Sequence, residues 1–574
     1  MHGGVRTSSP EPKAWRCLTG PWPWLLVFAA VAAVYHRVPH HRFVNFDDPM
    51  FIFENTRVAG GLTWEGFRWA WTNKDAVLWQ PLAWLGHMTV ATVGGVAPAP
   101  HLVANVALHA LNAGLLVVVL RRLTGRAGCS LAAGLLFAVH PVNVEVAAWA
   151  SQLKTTLSTA FFLTGLLAYS QPAGRWPSLV GCGLSMLAKP MLGTFPGLLM
   201  LLDRWPLGRA PAPGAWGRWL RGHLPAVLVA AGLLAFTVLP WVAPAANDVA
   251  AMQAPDWRRL ASVPVNIVAS LGLYVWPVDL AVFYEERLGH SPLQVLAAVA
   301  LLAGISGLGW RWRHTRPELL LGWGWFLLLI LPSSGVLRAG QHAVADRYLY
   351  VPGIGLLLMG VWTVARTGLM SRVAWLPATA TILTAGLLGW QAHRQADYWA
   401  DSVALWQRVA DVASASATTH QNLGNALLTA GRWQEAETEL QAAARLEPDN
   451  PRAHLNLAII AHQTGRIAEA VTLAERARVC APRDARVLST LGSLLDEVGR
   501  TGEGLRLLEE AVRLDPRLPE AQLNLGVLLA KSGQLARAEV CFEQALRLRP
   551  GDPSAVANLN LVRRQRQAER TKTD

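Results

Sequence analysis

The sequence predicts an all-α protein in two parts, a polytopic membrane helix bundle of about eleven spans followed by an α-solenoid. Three observations predict it. First, 52% of the 574 residues are apolar and 16% are charged, with a mean hydropathy of +0.27; soluble chains carry about 25% charged residues. Second, the apolar character is confined to residues 1–400, which hold 29 Lys and Arg and 16 Asp and Glu, whereas residues 401–574 hold 22 of each. Third, that second stretch repeats every 34 residues. The shift sets two domains, 1–397 and 398–574. The net charge of +13 belongs wholly to the apolar part, so the basic balance does not mark a nucleic-acid partner.

A helix needs about 17–25 apolar residues to cross a bilayer. Such runs fall near 22–39, 101–120, 128–148, 155–170, 224–243, 293–309, 318–334, 348–365 and 374–392. The stretch 178–202 is interrupted by Lys189-Pro190 and reads as two short helices meeting at a turn. Residues 260–277, with Pro264, Asn266 and Pro277, read as re-entrant or interfacial. Arg6, Lys13 and Arg16 precede the first run, but no small-residue cleavage site follows it, so it reads as a retained span.

Lys and Arg favour cytoplasmic loops. The N-terminus, Arg121/Arg122/Arg126, Arg175, Arg204/Arg209/Arg218/Arg221, Arg311/Arg313/Arg316 and Arg366/Arg372 then share one side, with 16 basic residues against three acids. That orientation puts the first loop (40–78) and the C-terminal repeats outside the cytoplasm. The excess of arginine over lysine points to a GC-rich bacterial genome and so to a bacterial plasma membrane; in a eukaryote the compartment would be the endoplasmic reticulum membrane. Five cysteines lie far apart with no CxxC pair, which indicates neither a zinc site nor a disulfide framework.

After Trp399 the register is regular. Gly424, Ala458, Gly492 and Gly526 are 34 residues apart, as are Gly431, Gly465, Gly499 and Gly533, and Pro448, Pro482, Pro516 and Pro550. Helix, Gly turn, helix and Pro-bounded loop at this period are the tetratricopeptide signature. Four repeats (417–450, 451–484, 485–518, 519–552) end in a capping helix over 555–566. Such a solenoid offers a groove for polypeptides and does no chemistry itself.

The chemistry-bearing residues sit in the apolar part. The loop after the first span holds Asp47, Asp48, Glu54, Glu65 and Asp75. Adjacent carboxylates raise each other's pKa, which suits proton abstraction; a weakly held divalent cation or plain solvation are the other accounts. The third span ends in His140-Pro141 and Glu145, the only acid between residues 76 and 202 and costly in such surroundings. His101, Asn105 and His109 share one helix face, for a metal or for helix–helix hydrogen bonds. Lys154 and Lys189 either meet a lipid phosphate or snorkel. Arg338, His342, Asp346, Arg347, Tyr348 and Tyr350 crowd one short outer loop, as a phosphate headgroup site or a helix cap.

Read in order, Phe46-Asp47-Asp48-Pro49, Trp79-Gln80-Pro81-Leu82, His101…Asn105…His109, Phe137-Ala138-Val139-His140-Pro141-Val142…Glu145, Lys189 and Asp346-Arg347-Tyr348-Leu349-Tyr350-Val351-Pro352, followed by the repeats, resemble the transmembrane-and-tetratricopeptide (TMTC) O-mannosyltransferases and their bacterial relatives. The resemblance covers residues 40 to 560. It implies a GT-C glycosyltransferase fold, a polyprenyl-phosphate sugar donor, mannose in most members, and Ser/Thr hydroxyls of extracytoplasmic proteins as acceptors. It implies Asp47, the first acid of the loop motif, as base; the chemistry of the transfer then assigns Asp48 and Glu145 to positioning acceptor or sugar, and Arg347 with Lys189 to the phosphate. His140, Lys154, Arg338, Tyr348, Tyr350, His101 and Gln80 complete the expected substrate-binding set. Two departures bear on sugar and acceptor identity. Gln80 stands where some members have Arg, and Ser151-Gln152-Leu153-Lys154-Thr155 replaces a Gly-Arg-Ala-Asp-like segment. The alternatives are a non-catalytic membrane scaffold whose repeats assemble envelope complexes, and a flippase or ligase of lipid-linked sugars.

Overall fold

In the computed structural model the described residues are 22–73, 79–212, 214–242, 257–285, 289–336, 343–367, 376–412 and 416–573. Asp75, Arg338, His342, Arg372 and the basic residues before Trp22 lie outside them. Among the described residues every regular element is helical, with no strand. Two compact units divide the chain, Met1–Arg408 and Val409–Asp574. The first closes beyond the expected boundary at 397 because Trp399 and Trp406 are buried in it. Phe46 meets the Trp406 ring edge-on at 5.7 Å, and Trp149 stacks on Trp399 at 5.3 Å.

The helices of the first unit are α1 (Trp22–Tyr35), α2 (Trp64–Thr72), α3 (Pro81–Gly94), α4 (Pro98–Thr124), α5 (Ala127–Val139), α6 (Val144–Ala148), α7 (Leu153–Tyr169) and α8 (Arg175–Ala188). There follow α9 (Phe195–Arg204), α10 (Trp216–Val242), α11 (Trp257–Val275), α12 (Pro292–Arg311), α13 (Pro317–Ile330), α14 (Pro352–Ala365) and α15 (Leu376–Asp397), with α16 (Ser402–Val412) at its end. Lys189 and Pro190 break α8 from α9 as the sequence predicts: the residue before a proline is driven out of the helical region, and Lys189 is extended (φ −156°, ψ 115°).

Fewer helices than expected cross a membrane by length and composition. Among the described residues α4, residues Trp216–Thr237 of α10, and α12 qualify, and α5 with Pro141–Ala148, bent by 55°, makes a fourth. Trp22–Tyr35, Pro317–Ser333 and Pro352–Ala365 are apolar but shorter. A 14-residue helix is about 21 Å long, short of the hydrocarbon core of about 30 Å. Pro141 bends one apolar run by 55°, and Pro190 breaks another as expected, so neither is a single straight helix. Residues 260–277, expected to be re-entrant or interfacial, hold one helix, α11, which runs unbroken through Pro264 to Val275 and is not among the helices long and apolar enough to span. Asn266 on that helix donates to the Ser334 carbonyl at 3.0 Å.

Helix ends of the first unit gather at two poles. At one pole the start of α7 meets the loop after α1, through Lys154 and Asp47. The end of α8 joins it through Lys189 and Thr155. At the other pole Tyr169, ending α7, donates to Asp203 near the end of α9 at 2.8 Å. There Arg366, just after α14, bonds the Thr315 carbonyl at 2.8 Å and pairs with Glu318 at 3.2 Å. The loops with Arg175, Arg204, Arg209, Arg313, Arg316 and Arg366 belong to this second pole.

The second unit contains tetratricopeptide repeats. Helices α17 (Ala417–Thr429), α18 (Trp433–Leu446), α19 (Pro451–Gln463), α20 (Ile467–Cys480), α21 (Ala485–Glu497), α22 (Thr501–Leu514), α23 (Pro519–Lys531) and α24 (Leu535–Leu548) form four hairpins. Gly431, Gly465, Gly499 and Gly533 turn each hairpin at φ between 75° and 81°, a region that L side chains avoid. The final helix α25 (Pro553–Thr573) runs past the expected end at 566. Ion pairs from Arg563 and Arg566 to Glu539, and from Arg563 to Glu543, clamp it onto α24.

Helices α13 and α14 touch backbone to backbone. A Cβ on Gly322 would run into the Gly355 carbonyl oxygen, and one on Gly355 into that of Gly322. Gly355→Val therefore forces the helices apart and should cost about 1–3 kcal/mol, read as a lower unfolding temperature in detergent. Gly360→Ala on α14 meets open space and should be neutral or slightly stabilising in the same measurement.

Candidate active site

The loop after α1 owes its shape to Asp48. One carboxylate oxygen accepts the Val44 amide at 3.0 Å, and the other accepts both the Ser151 amide at 3.0 Å and the Ser151 hydroxyl. This ties the loop to the turn that opens α7. Burial pushes the Asp48 carboxyl up to about 6; the Ser151 hydroxyl and the Val44 and Ser151 amides oppose that rise, and the Asp47 charge adds to it. Its neighbour behaves differently. Asp47 has one ion pair, to Lys154 Nζ at 3.3 Å, and its side chain stays 32% exposed. Lys154 is held from beneath by the Phe51 ring, 3.8 Å from Nζ to the centroid.

Glu145 and Arg347, 202 residues apart, form a bidentate contact. The guanidinium bonds Oε1 at 2.5 Å and the Arg347 amide bonds Oε2 at 2.9 Å. The Arg347 guanidinium also lies over the Trp149 and Tyr348 rings, at 5.7 and 5.1 Å. Beside it Asp346 is buried and accepts the Tyr284 hydroxyl at 2.7 Å. Burial, and then the nearby Glu145 charge, hold the Asp346 carboxyl well above the usual range.

Lys189 donates to the Thr155 hydroxyl at 2.8 Å, and Thr155 in turn donates to Gln152 at 2.6 Å. Lys189 and Arg347 line one cavity of about 30 Å³ together with Thr155, Ser158, Ser333 and Tyr348. The charges acting on Lys189 are those of Lys154, Arg347, Glu145 and Asp47. Six charged residues from five separate stretches of sequence thus make one cluster: Asp47, Asp48, Glu145, Lys154, Lys189 and Arg347.

Within it the carboxylates divide. Asp48 and Glu145 each have both oxygens bonded inside the protein, Asp48 to Val44 and Ser151 and Glu145 to Arg347. Asp47 alone of the three presents an accessible oxygen. The two aspartates face different partners, Asp48 the Val44 and Ser151 donors and Asp47 the Lys154 ammonium. Among the described residues no group of three or more His, Cys, Asp or Glu is placed to hold a metal ion.

Other expected substrate contacts lie in the helix packing. His140 stacks on Tyr274 at 4.2 Å and its Nδ1 accepts the Val142 amide at 3.3 Å. The Tyr350 hydroxyl bonds His109 Nδ1 at 2.8 Å, and His109 Nε2 faces the Ala138 carbonyl at 3.0 Å. Asn105 donates to the Val146 and Trp149 carbonyls at 2.6 and 2.9 Å, and His101 is buried 5.7 Å from the His87 ring. The α4 face of His101, Asn105 and His109 is therefore one of helix–helix contacts. Gln80 is buried where α3 begins, and its carbonyl accepts the Ala83 amide at 3.0 Å. Arg338 falls outside the described residues. Sequence reasoning missed Ser151, Thr155 and Tyr284; the first two had a signal, a polar run inside an apolar stretch.

Asp48 makes stability depend on pH. Its folded-state pKa is raised above the ordinary carboxylate value of 3.8, so its contribution is fully present below about pH 4 and is lost as pH rises through about 6. Relative to Asp48→Asn, the wild type should lose on the order of 3 kcal/mol across that window, read by thermal unfolding at stepped pH. Glu145→Gln leaves Arg347 without its counter-charge and should cost about 3–5 kcal/mol in the same assay.

Two family models, both described as tetratricopeptide repeat, match residues 422–485 and 497–560. Protein O-mannosyl-transferase Tmtc3 of Drosophila melanogaster is 24% identical over 383 residues, covering 56% of this chain and 41% of that protein. Protein O-mannosyl-transferase TMTC1 of Homo sapiens is 23% identical over 508 residues, covering 74% and 55%. The chain spans about half the length of these relatives. Among solved structures, pilF of Pseudomonas aeruginosa is 28% identical, covering 26% of this chain and 69% of that one, with a TM-score of 0.25. YrrB, a TPR protein with an unusual peptide-binding site, is 22% identical, covering 26% and 78%, with a TM-score of 0.23. The chain thus carries tetratricopeptide repeats and is similar, at 23–24% identity, to proteins named protein O-mannosyl-transferase.

Proposed function

We propose that the chain is a membrane glycosyltransferase that moves a sugar from a polyprenyl-phosphate donor to Ser/Thr hydroxyls of extracytoplasmic proteins. Mannose is the favoured sugar because the similar proteins are O-mannosyl-transferases. One observation carries the reading: an accessible carboxylate, Asp47, belongs to the same cluster as the cations Lys154, Lys189 and Arg347. Proton acceptor and phosphate ligands are what this transfer needs, and little else.

In the proposed reaction Asp47 takes the proton of the acceptor hydroxyl. The freed oxygen bonds to the anomeric carbon as the bond from that carbon to the phosphate oxygen breaks, and the electron pair leaves on polyprenyl phosphate. Lys189 and Arg347 stabilise that phosphate, and Lys154 shifts from Asp47 toward it. Displacement by the hydroxyl inverts the anomeric centre. The cavity between Lys189 and Arg347 holds about a water molecule in this state, so donor binding widens it. Arginine-rich loops at the opposite pole favour the cytoplasmic side, which turns Asp47 outward. Tetratricopeptide repeats are protein-interaction modules, and here they are the surface for extended acceptor segments.

Asp47→Asn should lower sugar transfer to co-expressed secreted proteins about 100-fold or more; the unfolding temperature falls because buried Lys154 loses its counter-charge, so transfer is compared at a temperature where both proteins are folded. Undiminished transfer by this variant removes Asp47 as base. Absence of any transfer by the wild type favours a non-catalytic scaffold.

A further inference from the structure

The arginine-rich pole holds a second cavity, about 340 Å³ and so within the range of small-ligand sites. Arg204, Arg313 and His314 are among its lining residues. Leu201, Trp205, Leu320 and Leu321 form its apolar wall. It is separate from the Asp47 cluster. Pro317 at the start of α13 lines it, whereas Leu329 near the end of α13 lines the Lys189 cavity, about 18 Å further along the helix.

The acids nearest in sequence are already committed. Asp203 accepts the Tyr169 hydroxyl at 2.8 Å and the Trp219 and His223 ring nitrogens at 3.1 Å each. Glu318, fully buried, pairs with Arg366. Neither acid lines the cavity, and among the described residues neither Arg204 nor Arg313 has a carboxylate partner. Arg313 is steadied by donating to the Trp310 carbonyl at 2.9 Å and by resting on the Trp310 ring at 4.4 Å. The positive end of α13, opening at Pro317, adds to the same field.

We propose that this cavity is a binding site for a phosphodiester bearing an apolar chain, the chemistry of an anionic phospholipid headgroup. Two guanidiniums and an imidazole take the phosphate, and the leucine wall takes the first methylenes of the chain. The site sits where two helix ends meet and has its own counter-charge deficit, so it stands whether or not the sugar-transfer reading does.

The test is native mass spectrometry of the purified full chain in detergent, with phosphatidylglycerol or phosphatidylcholine added, comparing wild type, Arg204→Gln/Arg313→Gln, Ala210→Trp and Arg311→Gln. Ala210 lines the cavity from an exposed loop, so a Trp there fills the space without touching the charges; Arg311 is exposed and does not line it. The expected result is a preference for phosphatidylglycerol that falls at least fivefold in the first two variants and persists in Arg311→Gln. Millimolar inorganic phosphate distinguishes the sources: failure to displace the lipid supports a headgroup with its chain, and full displacement overturns the lipid assignment in favour of free phosphate. Equal retention in wild type and Ala210→Trp overturns the site, as does equal binding of the two lipids.

Discussion

The buried contact between Glu145 and Arg347 organises the first unit. It spans 202 residues and joins the bent end of α5 and α6 to the turn before α14. Burying two charges is costly, and the cost is offset only when the geometry satisfies both groups. Here it does: both carboxylate oxygens are bound, and Trp149 and Tyr348 cover the guanidinium. Because Arg347 also lines the cavity beside Lys189, one interaction fixes the outer helices and the position of a cation in the site. Asp48 does the equivalent for the loop after α1, through Ser151. The accessible Asp47 is therefore presented by neighbours that are themselves held.

The two poles give the first unit a chemical direction. Charges of both signs meet at one pole, whereas arginines outnumber acids at the other. Helices α7, α9 and α14 run from the first pole toward the second, and α8 and α13 run back. Such alternation is the up-and-down order of a helix bundle, with the charged turns confined to its two ends. Tight approaches such as Gly322 to Gly355 let these helices pack without polar side chains between them.

Several features were legible in the sequence because their causes are local. The 34-residue period repeats the same glycine turn and the same small-residue contact, so it needs no knowledge of distant neighbours. Lys189-Pro190 breaks a helix by its own backbone geometry. Asp47, Glu145, Lys154, Lys189 and Arg347 stand out because charge in apolar sequence is costly wherever it falls. Partnerships were not legible. Nothing near Glu145 indicates Arg347, and nothing near Asp48 indicates Ser151, because a pairing over 100 residues or more is decided by packing. For the same reason the contacts of His140 with Tyr274 and of Tyr350 with His109 could not be read ahead. Hydropathy registers apolar length but not the 55° bend at Pro141, so a run that reads as one straight span is a bent pair of helices.

The cluster around Asp47 contains three acids and three bases, and this balance has a kinetic consequence. A charge-neutral site casts little field beyond its own dimensions, so it does not steer anions in from bulk water. Its cations act only on a group already within contact distance. A phosphate that diffuses in three dimensions is poorly served by such a site. One tethered at a fixed depth, searching in two dimensions along the protein's flank, needs no long-range attraction to arrive.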